Sequence, residues 1–362
     1  MSALYALPAM FMAQGAAARS MPEPLTAQES CAPSQGLSYV CGLDRAEDII
    51  PVPGTRWIVA GAFGGGGGLA LVDGEAKQAW QLYSAVTPSA PDRKTFPGCA
   101  TPPDPATFKT LGLSLRQVGA KRFMLYAVSQ LPRLTVEAFE LGTGADRPVL
   151  TWKGCVPLPG TYVGNSVTSF ADGTILVTVL QGLDGMMADA AIEGKNTGAV
   201  FQAAPGAPVF TMLEGTRLPT PNGIETSPDG KEFYVVSGFR QSFFVFDRSA
   251  PSGPVRETRA PFNPDNLRWS AGRLIAAGSR YDEPACGGVR RFVRGVLFNA
   301  SCHRGFEAQE IDPVSLRWTA LAYGPSNPAF GGVATAIVVG DTLWLSSVFD
   351  RRIAYRPLGI AP

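Results

Sequence analysis

Apolar and polar positions along the chain fall into short runs with the two-residue alternation of β-strands, and hardly any stretch has the spacing of an amphipathic helix. The runs at 57–61, 68–72 and 77–83 make a first meander, and those at 112–116, 121–128, 135–140 and 149–153 a second. The unit is clearest in TPNGIETSPDGKEFYVVSG at 220–238. There Asn222-Gly223-Ile224 enters a short strand, Ser227-Pro228-Asp229-Gly230 turns the chain, and an alternating strand follows from Glu232. Asn222 stands seven residues before Asp229, and Asn165 stands seven before Asp172 in an earlier Asp-Gly turn. That agreement reads as an internal repeat.

Units of about four short strands open near Asp48, Gly112, Asn165, Asn222, Asp265 and Gly332. Six such units predict an all-β protein, a six-bladed β-propeller with four-stranded blades. A strand at 37–42 is placed to pair into the last blade and close the ring, which removes exposed edges. Other stretches stand apart. The glycine run at 64–68 lacks a following Gly-Lys-Ser/Thr and reads as a hairpin loop rather than a phosphate loop. A Pro-rich excursion at 88–105 crosses the surface, 181–195 forms a short helix or a mobile cover, and an insertion after Ala277 holds the single histidine, His303.

Composition narrows the class. With 45% hydrophobic and 17% charged residues the chain can bury a large core, and Gly and Pro are spread as turn punctuation. The 31 basic and 30 acidic residues leave no electrostatic footprint for nucleic acid. Six cysteines contain no CxxC pair, so zinc spacing is absent. Economy of loop length pairs Cys31 with Cys41 and Cys286 with Cys302, leaving Cys99 with Cys155; six free thiols in a reduced compartment are the alternative. An apolar run at 3–13 followed by AQGAAARS looks like an export signal, although no Lys or Arg precedes it. The chain divides into 1–34, signal peptide plus flexible segment, and 35–362, the propeller. The location expected is periplasmic or secreted. No segment reaches the ~18 apolar residues of a membrane span. Oligomeric state is not legible.

Residues at blade openings meet in a propeller's central channel. Those offered here are Glu47, Asn165, Asn222 and Asp265, with Asn266 beside the last. Two carboxylates and three amides form an all-oxygen set suited to a hard cation, Ca²⁺ above all. Each alone is an ordinary strand-end side chain; the set is what points to a metal.

Glu47-Asp48 before Ile-Ile-Pro, GNSV at 164–167, PNGIETSPDGKEFYV at 221–235, PDNLRW at 264–269 and VATAIVVGDTLWLSSVFDRRIAY at 333–355 resemble the paraoxonase/arylesterase branch of a superfamily. The superfamily also holds the senescence marker protein/gluconolactonase family and diisopropyl fluorophosphatase. The resemblance runs from about Leu43 to Pro357. It implies a six-bladed propeller with a catalytic Ca²⁺ at the channel end, hydrolysing lactones, aryl esters or organophosphates. The metal-ligand positions it implies are Glu47, Asn165, Asn222, Asp265 and Asn266. Two departures matter. The places of a histidine dyad hold Leu111 and Gln130, which excludes that proton shuttle. Ser166 stands where a second, structural ion would need an Asp, so only one ion is expected although Asp48 is kept.

Without the dyad, Asp265 and Glu47 are the candidate catalytic carboxylates. Asp265 would activate water or attack directly. Tyr162, Phe239, Tyr281, Phe330 and Phe349 are placed around the mouth, with Asp350 and Arg351 near the last inner strands; an aromatic rim favours a small apolar or aromatic substrate. His303, beside Cys302, reads as a surface or disulfide-flanking residue. The other function class is a non-catalytic or strictosidine-synthase-like small-molecule-binding propeller.

Overall fold

A computed structural model describes residues 23–27 and 29–359, so the apolar run at 3–13 lies outside the described residues. Six four-stranded antiparallel sheets are arranged as blades around one axis. Their innermost strands are Ile49–Pro51, Lys109–Gly119, Gly164–Ser169, Pro221–Thr226, Asn263–Ser270 and Ala336–Val339, in blades 1 to 6. Strand Ser38–Cys41 pairs with Arg352–Pro357 and becomes the fourth strand of blade 6. The ring is thus closed by hydrogen bonds between the two ends of the fold, as its N-terminal strand pattern implied.

The core is not one mass but a wedge between every pair of neighbouring blades. Trp57, Val59 and Leu71 of blade 1 pack on Leu113, Leu125 and Phe139 of blade 2. Equivalent apolar wedges join blades 2 and 3, 3 and 4, 4 and 5, 5 and 6, and 6 and 1. Because both faces of a blade are covered, a middle strand such as Ile175–Val179 is buried at every position. This explains why alternation weakens into continuous apolar runs in ILVTV and SFFVFD.

Near the axis the innermost strands crowd one another, and each of four carries a register shift at its entrance. The shifts fall between Thr110 and Leu113, Gly164 and Val167, Pro221 and Ile224, and Pro264 and Asn266. An extra residue bends a strand and re-aims its side chains. Asn165, Asn222 and Asp265 all lie inside these shifts. Gly223 has a further reason to be glycine: a Cβ there would stand 2.6 Å from the Asn266 Cα and the Leu267 nitrogen. Gly112 has the same relation to Ser166, whose Cα would be 2.5 Å away.

All six cysteines are paired, as Cys31–Cys41, Cys99–Cys155 and Cys286–Cys302. The excursion at 88–105 is pinned to blade 2 by its disulfide and by backbone bonds from Trp152 to Pro88 and from Ala90 to Trp152. Cys99 and Cys155 also border the buried Glu137, but both sulfurs are spent on one another and the carboxylate is taken by Arg133, Thr135 and Trp152. The stretch at 181–195 forms two 3₁₀ turns, Leu183–Gly185 and Ala188–Glu193, in place of a longer helix. The blade 5 insertion folds into two small hairpins, Asp282–Glu283 with Gly288–Val289 and Phe292–Val293 with Val296–Leu297, stapled by Cys286–Cys302. Among the described residues no helix is long and apolar enough to cross a membrane.

Gly223→Ala is expected to cost about 1–3 kcal/mol through overpacking at the axis. Gly144→Ala, where a Cβ would meet nothing within 4 Å, should change stability by less than about 0.5 kcal/mol. Equilibrium denaturation compares them, and equal midpoints for the two variants would contradict the crowding argument.

Candidate metal centre

Glu47 immediately precedes the inner strand of blade 1, and the shifts in blades 3, 4 and 5 present Asn165, Asn222 and Asp265 at the same end of their strands. Contacts run between these elements. Asn222 Nδ2 donates to Asp265 Oδ1 at 2.8 Å, and Asn266 Nδ2 donates to Glu47 Oε1 at 2.8 Å. Thr178 Oγ1 ties the strands of Asn165 and Asn222 by donating to the Asn222 carbonyl at 2.6 Å while accepting from Ser166 N at 3.0 Å. Around the axis the order is therefore Asn165, Asn222, Asp265, Asn266, Glu47.

What these hydrogen bonds leave over is informative. Glu47 Oε2, Asn165 Oδ1, Asn222 Oδ1 and Asn266 Oδ1 are all buried and have no hydrogen-bond partner. Buried acceptors are normally satisfied, so four from this one set call for an explanation. The amides of Asn222 and Asn266 spend their N–H groups on carboxylates, which leaves their carbonyl oxygens as the free ends. Burial and repulsion from Asp48 and Asp265 hold the Glu47 carboxyl well above the usual range. Burial likewise pushes Asp265 up to about 6, against the attraction of Arg290 and the hydrogen bond from Asn222. Buried, mutually repelling carboxylates beside unpaired amide oxygens are the chemistry a hard cation relieves. The residues present fit a divalent ion.

Asp48 behaves differently. Its Oδ2 accepts from Leu113 N at 2.7 Å and from the Arg268 guanidinium, and its Oδ1 accepts from Thr335 Oγ1 at 2.8 Å. Arg268 also reaches Glu225 Oε1 at 3.3 Å, and Thr168 Oγ1 donates to Glu225 Oε2 at 3.2 Å. The Arg268 side chain is 1% exposed. A cation supplied by the chain itself thus fills the channel beneath the candidate metal set. With its oxygens engaged in this way, Asp48 is committed to the protein rather than to a second ion.

Beside Asp265 lies a cavity of about 50 Å³ whose lining includes Asn222, Thr220, Phe239, Asn263, Ser279 and Arg290. It adjoins an outer cavity of about 410 Å³ that shares Phe239, Asn263 and Arg290 and adds Arg240, Glu257, Arg259 and Tyr281. The expected aromatic rim is only partly there. Phe239 and Tyr281 line these cavities, but Tyr162 packs on Phe201, Phe330 is buried against Tyr39, and Phe349 stacks on His303. Packing between blades claims the other three. His303 Nδ1 donates to the Asn327 carbonyl at 3.1 Å and the ring lies 3.9 Å from Asp350, outside the lining of both cavities.

Sequence reasoning missed Arg268, Thr335, Asn263 and Arg290. Arg268 had a signal, since it stands two residues after Asn266 on one strand face. Arg290 had none, because it comes from an aperiodic insertion.

Arg268→Met should destabilise the fold by about 3–5 kcal/mol, because Asp48 and Glu225 would be left buried without a counter-charge. Chemical denaturation of the metal-free protein reads this directly, and an unchanged midpoint would contradict the role given to Arg268.

No family model and no curated protein matches the sequence. Among solved structures, a gluconolactonase from Xanthomonas campestris superposes with a TM-score of 0.50 at 14% identity, covering 94% of this chain and 96% of its own. A luciferin-regenerating enzyme superposes with a TM-score of 0.49 at 13% identity, covering 89% of this chain and 93% of its own. At such identity the likeness is one of fold.

Proposed function

We propose that the chain is a hydrolase of lactones or aryl esters, of the paraoxonase/arylesterase kind, that works with one Ca²⁺ at the channel end. The observation that carries this reading is the set of four buried, partnerless oxygens on Glu47, Asn165, Asn222 and Asn266, next to the Asp265 carboxylate. These five residues would hold the ion. When bound, it supplies positive charge to a substrate carbonyl oxygen as negative charge gathers there. The Xanthomonas campestris neighbour is a gluconolactonase.

The protein's own groups divide the remaining work. Asp265 borders the cavity, whereas Glu47 is buried behind it and bonded to Asn266, so the reacting carboxylate is Asp265. Asn222 fixes one Asp265 oxygen. Asp265 either takes the proton of an attacking water and returns it to the departing alkoxide, or attacks the carbonyl carbon itself, breaking the ester C–O bond to give a mixed anhydride that water then opens at the Asp265 carboxyl carbon, the alkoxide taking a proton from water. Single turnover in ¹⁸O water separates the two, because the product acid is labelled at once in the first and unlabelled in the second. The three disulfides fit a periplasmic or secreted location.

Metal analysis should find one Ca²⁺ per chain, with turnover of a lactone and aryl-ester panel lost on chelation and restored by Ca²⁺. Asp265→Asn and Asn222→Ala should each lower turnover by at least about 100-fold. No bound ion together with chelator-insensitive or absent turnover would overturn the reading and favour a small-molecule-binding propeller, to which the missing histidine dyad already lends weight.

A further inference from the structure

Partnerless polar atoms near the axis include acceptors on the candidate metal ligands and a donor, Arg268 Nε, beneath them. In the adjoining cavity they are donors: Arg290 Nε and Asn263 Nδ2 are buried and have no hydrogen-bond partner. Both residues line the inner cavity and the outer one, so they stand where the two meet.

Arg290 is held for this position. One of its Nη atoms donates to Ser279 Oγ at 2.8 Å, at the end of strand Arg273–Ser279. The Cys286–Cys302 staple flanks it, and Phe292, two residues on, packs on Phe239 with ring centroids 5.3 Å apart. Asp265 attracts the guanidinium and Arg304 repels it, yet the ion pairs among the described residues do not include Arg290. A half-buried guanidinium whose Nε is shut off from water and which closes no ion pair is costly unless something else completes it.

The charges around it name the missing group. A divalent ion would balance Glu47 and Asp265, and the Arg290 charge would then have no partner of its own. The outer cavity adds Arg240 and Arg259 against Glu257 alone. Positive lining of a concave site draws anions. Two buried donors, one of them a planar fork, suit a carboxylate, which accepts on both oxygens.

We propose that Arg290 and Asn263 form a carboxylate-recognising subsite beside Asp265, so that the preferred substrates are lactones or esters bearing an anionic side group. That these are substrates rests on the hydrolase reading, whereas the binding of a carboxylate rests only on the metal that frees Arg290 from Asp265. The small apolar or aromatic substrate expected from the sequence is thereby refined to one that also bears an anionic group, with Phe239 and Tyr281 as flanking apolar surface.

The test uses the full chain with Ca²⁺ present and takes glutarate and its uncharged diamide, glutaramide, as probes in calorimetric titration. Glutarate should bind at least about tenfold more tightly than glutaramide. That preference should fall about tenfold in Arg290→Met and in Asn263→Ala, and be partly restored in Arg290→Lys. A pair of aryl esters ending in carboxylate or carboxamide should show the same ratio in kcat/KM. Equal binding of the two probes by the wild-type protein overturns the subsite without any variant needing to fold. Glutarate binding that survives Arg290→Met in a folded protein also overturns it, since the metal alone would then hold the anion. Arg290-dependent glutarate binding without hydrolysis of either ester upholds the subsite and removes the hydrolase reading. Hydrolysis of both esters at equal kcat/KM, with no Arg290-dependent binding, does the reverse.

Discussion

The crowding of inner strands around one narrow axis is the constraint from which the rest of this molecule follows. Six strands approach so closely that Gly112 and Gly223 leave no room for a Cβ beside the neighbouring strand. Strands this close cannot all keep regular registers with their outer partners, and four of them shift by inserting residues at the same end. Those insertions turn Asn165, Asn222 and Asp265 inward. Packing and chemistry are therefore one problem here: the geometry that closes the ring also gathers the polar atoms.

Gathering acids in a low-dielectric channel is unfavourable, and the chain meets this in two ways. Deeper in the channel, Arg268 neutralises Asp48 and Glu225 from within, with Thr335 and Thr168 satisfying the remaining oxygens. At the mouth end no ion pair closes on Glu47, and burial with repulsion from Asp48 and Asp265 outweighs the more distant Arg268 and holds its carboxyl well above the usual range. One set of acids has its oxygens engaged within the fold, and the other keeps a buried oxygen without a partner. The difference between them is what separates a structural ion network from a candidate functional site.

The insertion in blade 5 has a place in the same scheme. Like the excursion at 88–105 and the turns at 181–195 it departs from the repeat, and it brings a guanidinium to the edge of the acidic set. Its own fold is slight, two short hairpins and a disulfide, so Arg290 is positioned mainly by Ser279 and by the Phe292–Phe239 contact. A repeat architecture supplies the frame, and the irregular piece supplies what is particular to this chain.

Blade number, ring closure and disulfide pairing were legible in the sequence, because each depends on local spacing: Asp-Gly turns after alternating runs, a spare strand at 37–42, and cysteines near enough to close short loops. The residues offered as ligands share a place near the entrance of four of the six units, which is a matter of spacing and so is visible in the chain. Tertiary structure alone decided what each oxygen does. Asp48 and Glu47 are adjacent in sequence, but one is saturated by Arg268 and Leu113 and the other keeps a free oxygen. The aromatic rim could not be judged from the chain either, because Tyr162, Phe330 and Phe349 differ from Phe239 only in which neighbour packs against them. A strand pattern specifies a face, while partners across the channel, far apart in sequence, decide whether a polar atom on that face is satisfied.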